Sequence, residues 1–363
     1  MATVIVVGVL GVTFYSPIGT LLVHWAGMSA AGQVLGEQMG WDSSEQPVLA
    51  DVNGDGVMDA VGWVNVRKMG DILGYALAAF EGQQGHRLWQ TPLLGKSSGY
   101  AAVVGDRIVV ADDSGTLRAF SLGRGEQLWQ TPMGERVRRL CPGATGEIAV
   151  DRKDGQRISV TLATGQAAEP SPTPEAPCEG LETTDSKGDS ARQRLHQGGF
   201  GDHYVLPKIS GMQVASVVVD AATNTQVALG VNGRGSGFPM AAAIPRTESQ
   251  HEVMVQPLWQ RPVPAGDPLA VPEKKAEIGA ISGDRVVVPY LASLANGRGR
   301  DQWRATALDM KTGRTLWDVD LSADVSGPSK VVASDRHVFF AVWNSLVVLD
   351  LATGEHRATI GGW

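Results

Sequence analysis

Ala307-Leu308-Asp309-Met310-Lys311-Thr312-Gly313-Arg314-Thr315-Leu316-Trp317 is the stretch on which the fold turns. Its outline recurs in Ala79-Phe80-Glu81-Gly82-Gln83-Gln84-Gly85-His86-Arg87-Leu88-Trp89 and in Ala119-Phe120-Ser121-Leu122-Gly123-Arg124-Gly125-Glu126-Gln127-Leu128-Trp129. Both of these run on into Gln-Thr-Pro. Gly85 and Gly125 are 40 residues apart, and Thr164-Gly165 follows after another 40. Leu349 to Glu355 repeats the turn near the C-terminus, with Gly354 lying 41 residues after Gly313. Upstream in each unit comes a second element. Gly105-Asp106-Arg107-Ile108-Val109-Val110 matches Gly283-Asp284-Arg285-Val286-Val287-Val288, and Ser334-Asp335-Arg336-His337-Val338-Phe339 is a weaker copy.

The Gly-Asp pair reads as a hairpin turn and the valine run as a strand. The Thr-Gly pair is a second turn, where glycine takes positive φ without steric cost. One unit is therefore four antiparallel strands in about 40 residues, the unit of a β-propeller. A lone blade cannot cover both of its faces, so blades must stack radially. Trp89, Trp129, Trp259 and Trp317 are placed on outer strands, as wedges between blades.

Six units are expected: Gln46–Leu94, a second to Gly134, then Arg136–Pro170, Lys208–Val263, Ala276–Leu321 and Lys330–Gly361. The third and sixth lack the outer tryptophan. The span from Thr225 to Trp259 leaves room for a seventh. Residues 32–48 are candidates for closing the ring by completing the last blade. The expected architecture is all-β, a propeller over residues 46–363, with residues 26–45 as linker and an N-terminal hydrophobic helix over residues 1–25. Residues 166–199 read as a mobile loop: four prolines fall between Pro170 and Pro177, followed by Glu179, Glu182, Asp185 and Asp189.

The pattern A-x-D-x-x-T-G-x-x-x-W, complete at residues 307–317, resembles the tryptophan-docking repeat of the pyrroloquinoline-quinone-like β-propellers. That family includes quinoprotein dehydrogenases and BamB-type outer-membrane assembly proteins. The resemblance is specific for fold, and fold does not imply function. The quinoprotein enzymes imply a longer, eight-bladed ring, a calcium-assisted quinone and commonly a pair of adjacent cysteines. Here Cys141 and Cys178 lie 37 residues apart. The resemblance therefore favours a non-catalytic propeller that binds a protein or other envelope macromolecule, with no pyrroloquinoline quinone expected. A quinone-dependent oxidoreductase is the alternative.

Composition agrees with a packed chain. Of 363 residues, 43% are hydrophobic and 19% charged, which excludes a wholly disordered protein. The 45 glycines follow no collagen period and suit many tight turns. A net charge of −7 argues against nucleic acid as a partner. Residues 2–23 contain no charged side chain and as a helix would span about 33 Å, enough for a bilayer. A single-pass anchor leads, with the propeller on the periplasmic or extracellular side. A cleaved signal and a buried segment are the alternatives, and a basic leader is missing, since the first Lys or Arg is Arg67.

The sharpest chemical motif is Asp51-Val52-Asn53-Gly54-Asp55-Gly56-Val57-Met58-Asp59. Asp51, Asn53, Asp55 and Asp59 place side-chain oxygens at positions 1, 3, 5 and 9, and the Val57 carbonyl adds another. Position 12 is Gly62, and the flanks read as strands, so this is no helical calcium hand. The loop resembles the hairpin calcium loop of FG-GAP propeller repeats. A structural Ca²⁺ is expected there, with a metal-free polar turn as the alternative. Cys141 and Cys178 are a candidate disulfide, or two free thiols.

Overall fold

The computed structural model describes residues 38–44, 46–68, 70–172, 183–184, 206–219, 225–232, 239–245, 253–263, 278–292, 302–321 and 327–361. The expected helix over residues 1–25 and most of the 173–205 segment lie outside them. Among the described residues no helix is long and apolar enough to cross a membrane.

Six antiparallel sheets account for the described chain. In blade 1, Asp59–Lys68, Asp71–Phe80 and Arg87–Gln90 follow one another, and two short strands, Gln38–Trp41 and Val48–Ala50, share the edge of Asp59–Lys68. Blade 2 is Tyr100–Val104, Arg107–Ala111, Thr116–Ser121 and Gln127–Pro132. Blade 3 is Val137–Pro142, Glu147–Arg152, Gln156–Thr161 and Ser171–Pro172. Blade 4 is Met212–Val219, Thr225–Asn232, Pro239–Pro245 and Trp259–Pro262. Blade 5 is Ala280–Ser282, Arg285–Ala292, Gln302–Asp309 and Thr315–Asp320. Blade 6 is Pro328–Ala333, His337–Val342, Ser345–Asp350 and His356–Gly361.

The stacking follows from where the apolar side chains go. One cluster joins blades 1 and 2 through Trp63, Leu77, Trp89, Ile108 and Phe120. Others join blades 2 and 3, 4 and 5, and 5 and 6. A fifth joins blade 6 to blade 1 through Phe339, Leu346, Val348, Trp41 and Phe80, so the last sheet meets the first. First strands of consecutive blades touch: Val48–Ala50 meets Tyr100–Val104, which meets Val137–Pro142, and Ala280–Ser282 meets Pro328–Ala333. First strands therefore line the axis and fourth strands the rim.

Four expectations change. Gln38–Trp41, within the stretch read as linker, is a strand of blade 1. It does not complete blade 6, whose four strands all come from its own segment. The two terminal blades instead abut: the Trp41 amide donates to the Asn344 carbonyl at 2.8 Å, and Trp41 is fully buried against Phe80, ring edge to face. The span from Thr225 to Trp259 contributes strands two to four of blade 4 and leaves no separate seventh sheet among the described residues. Residues 166–172 are the expected start of a mobile loop. They form the broken outer strand of blade 3, with Ala167 bridging Val160 and Ser171 opposite Arg157. Pro170 and Pro172 lack the amide that a regular ladder needs.

Candidate functional site

The blade junctions show what the repeat is for. The glycine of the third-to-fourth-strand turn takes positive φ in five blades: Gly85, Gly125, Gly165, Gly313 and Gly354 lie between +66° and +76°. An added Cβ would meet the indole of the preceding blade, at 2.6 Å for Trp89 on Gly125, Trp129 on Gly165 and Trp259 on Gly313, and at 2.8 Å for Trp317 on Gly354. Each indole N–H donates at 2.7–2.9 Å to the carbonyl three residues before that glycine, at Leu122, Leu162, Met310 and Leu351. The ring is thus buried while its polar edge stays paired. In blade 3 the tryptophan position is Glu169, and in blade 6 it is Ala358. At the junction of blades 6 and 1 a different indole is buried: Trp41, from blade 1's own sheet, packs on Gly62, where a Cβ would fall 2.5 Å from the ring.

The acidic loop of blade 1 closes on itself. Asp51 Oδ1 accepts from the amides of Gly54 and Asp55, and its Oδ2 from Gly56. Asn53 Oδ1 accepts from the Asp55 amide while its Nδ2 donates to Asp55 Oδ2 at 3.0 Å, and Asp55 Oδ1 accepts from Val57 at 2.7 Å. Gly54 and Gly56 sit at φ +78° and +79°, the sharp turns such a loop requires. Asp59 stands apart from the others. It is fully buried and ties the loop down, accepting from the amides of Val52 at 2.9 Å and Gly82 at 3.0 Å. Burial pushes its carboxyl above the ordinary range, against the pull of those amides. Among the described residues no three His, Cys, Asp or Glu side chains converge as a metal group. Asp51, Asn53 and Asp55 keep unused lone pairs on oxygens around one loop, which suits a hard cation, while the Asn53 Nδ2 bond to Asp55 would have to yield to it.

Cys141 is disulfide-bonded, and it lies on the axial strand of blade 3 opposite Ala149. Cys178, the chain's other cysteine, lies outside the described residues. A few residues beyond Cys178, Thr183 and Thr184 leave blade 3. They pair with Ala102 and Ala101 on the axial strand of blade 2.

Three buried or half-buried ionic groups had no sequence signal, because hairpin geometry and not a motif brings their members together. Asp151 takes Arg157 at 2.6 Å and Arg139 at 2.7 Å on neighbouring strands of blade 3. Burial raises its carboxyl, and the two guanidinium hydrogen bonds outweigh that and hold it below the usual range. Arg118 pairs with Asp112, whose carboxyl is likewise lowered against its burial by Ser114, Thr116 and Arg118. In blade 5 the Tyr290 hydroxyl donates to Asp318 at 2.6 Å beside Arg304, and burial with the Asp318 charge pushes the phenol up. These groups answer one another's charges within their own blades.

Residues 73–184 match the family model described as outer membrane protein assembly factor BamB. This stretch carries a BamB-type, pyrroloquinoline-quinone-like propeller repeat. No curated protein matches the chain. Among solved structures, BamB from Moraxella catarrhalis is 14% identical, with 90% of each chain covered and a TM-score of 0.28. The quinohemoprotein alcohol dehydrogenase from Comamonas testosteroni is 13% identical over 92% of this chain and 70% of its own, with a TM-score of 0.33. The Neurospora crassa Pan2 WD40 domain is 10% identical over 88% and 80%, with a TM-score of 0.28. Likenesses this remote carry no functional argument, and the propeller is read from its own six sheets.

Proposed function

We propose that the BamB-type propeller is a non-catalytic scaffold that binds a protein or other macromolecule in the bacterial cell envelope. The observation that carries this reading is the match of residues 73–184 to the outer membrane protein assembly factor model. A disulfide at Cys141 agrees with an oxidising, extracytoplasmic compartment. The ring supports the same role. Its blades are locked by buried indoles, so loops on its two faces are presented on a stiff frame, the usual arrangement for recognition. Residues 2–23 serve in this proposal as the membrane tether, and Cys178 as the partner of Cys141. Ca²⁺ is proposed to bind Asp51, Asn53, Asp55 and the Val57 carbonyl and to stiffen the blade 1 turn, with Asp59 as its anchor to the sheet.

The test is cross-linking of the full chain in native membranes, followed by capture and mass spectrometry. One envelope partner, linked to face loops and lost on loop substitution, is expected. Dye-linked dehydrogenase activity on addition of pyrroloquinoline quinone and Ca²⁺ would establish the oxidoreductase reading instead. For the loop, melting in chelator and in millimolar Ca²⁺ is compared, with a stabilising shift expected that Asp55→Ala removes.

A further inference from the structure

The junction between blades 6 and 1 departs from the docking rule at two positions at once. Where four blades carry an outer tryptophan, blade 6 has Ala358. Where the other turns carry the buried Leu122, Leu162, Met310 or Leu351, blade 1 has Gly82. Ala358 and Ile360 fill part of the indole's place over Gly85. The carbonyl of Gly82, the counterpart of the indole acceptors, receives no hydrogen bond from the described residues. Two large apolar side chains are missing from one seam, and beside it opens a cleft of about 460 Å³. That size is in the range of small-molecule sites.

The cleft lies between the Gln83-Gln84 turn of blade 1 and both turns on the same face of blade 6. Gln83, Gln84, Asp335 and Arg336 are exposed, and no hydrogen bond from the two carboxamides or the Arg336 guanidinium reaches a described residue. Asp335 and Arg336 face each other loosely at 3.9 Å. Also lining the cleft is His337, only 4% exposed, whose Nδ1 is buried without a partner among the described residues. That atom is shielded from solvent, so the groups a ligand could reach are those of the exposed Gln83, Gln84, Asp335 and Arg336. The remaining charges cancel: Arg357 is bonded to Asp350 at 2.9 Å, and that carboxylate also takes the Ala352 and Thr353 amides.

We infer that this cleft is a binding site for a neutral, hydroxyl-rich ligand, a saccharide unit. The lining offers carboxamide, guanidinium and carboxylate groups with no net charge. A hydroxyl both donates and accepts, so a polyol can satisfy such a mixture, whereas an anion or a cation would leave one sign unanswered. A peptide would be expected to seat an apolar anchor, and Ala352 is the largest apolar side chain of the lining. A nucleobase would need a stacking ring, and no exposed aromatic lines the cleft.

The experiment is saturation-transfer NMR and calorimetry on the full chain in detergent, with maltose and N,N′-diacetylchitobiose as probes. Glucuronate and a neutral tripeptide serve as comparison ligands. Saturable binding of a neutral disaccharide at millimolar strength is expected. It should weaken roughly tenfold in Gln84→Ala or Arg336→Ala, which leave the core untouched, and vanish in Ala352→Trp, which fills the mouth from an exposed position. Melting of each variant checks that the ring is intact. No saturable binding of either disaccharide, binding that survives Ala352→Trp, or tighter binding of glucuronate or the tripeptide would each overturn the assignment.

Discussion

Trp317 is the docking indole whose loss can be worked through most fully. It is 7% exposed, packs on Gly354, and donates its N–H to the Leu351 carbonyl at 2.9 Å. Removing a buried tryptophan to alanine costs about 3–5 kcal/mol, because the cavity between two sheets cannot collapse when each is fixed by its own ladder. Trp317→Phe keeps most of the apolar wedge and loses the bond to Leu351, so about 1–2 kcal/mol is expected. Gly354→Ala tests the other side of the contact. At φ +76° a Cβ costs about 1–2 kcal/mol from backbone strain alone. The same Cβ would also lie 2.8 Å from the indole, adding roughly 1 kcal/mol of overlap. In the Trp317→Ala background the overlap disappears and the strain stays. The double variant should therefore be more stable than the sum of the singles predicts, by roughly 1 kcal/mol. Urea unfolding of the four proteins, followed by tryptophan-independent circular dichroism, gives the cycle. A Trp317→Ala cost under about 1 kcal/mol, or strict additivity, would refute the docking account.

Acid should unfold the ring through its paired carboxylates. Burial raises Asp350, but Arg357 and the Thr353 and Ala352 donors bring it down to about 2, so its contribution is whole above the ordinary aspartate range and drains as pH falls toward 2. The loss is on the order of 1–2 kcal/mol once the exposure of Arg357 is allowed for, and Arg357→Ala should flatten that part of the stability–pH curve. Asp59, whose carboxyl is raised by burial, works in the opposite sense and offsets a little of the loss. Asp151→Asn leaves Arg139 and Arg157 facing a neutral group and should cost about 2–3 kcal/mol in the same urea assay, less for Asp151→Asn with Arg139→Ala. If Cys141 pairs with Cys178, reduction or Cys178→Ser frees a loop of 37 residues and should destabilise by about 3–4 kcal/mol, with intact mass after alkylation reporting the thiols.

The repeat made the blades legible, because its signals are local. A glycine that must take positive φ and a tryptophan four residues later are fixed by one turn, so Gly85 with Trp89 or Gly313 with Trp317 could be found from the chain alone. Trp41 could not. Its strand has four residues, too few to show alternation, and what it packs on, Gly62, Phe80 and the Asn344 turn, is spread across the two ends of the chain. The Asp151, Asp112 and Asp318 pairs are local, but no motif marks them: hairpin register, not spacing, brings their arginines in. Asp59 is the motif's fourth side-chain oxygen, and what spacing does not show is that the sheet buries it and turns both its oxygens to backbone amides. The cleft beside His337 was visible only as two missing residues, Gly82 and Ala358, and their meaning needed the geometry of the seams where indoles are present.

The central claim is that the first and last sheets meet and close a six-bladed ring. The Ser329 hydroxyl of blade 6 donates to the Ser43 carbonyl beside Trp41, which makes this pair the place to probe it. Ser43→Cys with Ser329→Cys, oxidised and analysed by non-reducing peptide mass mapping, should give an intramolecular cross-link joining the two ends of the propeller at every protein concentration. Failure to cross-link under oxidation, or a cross-link that forms only between molecules, would contradict the closed ring.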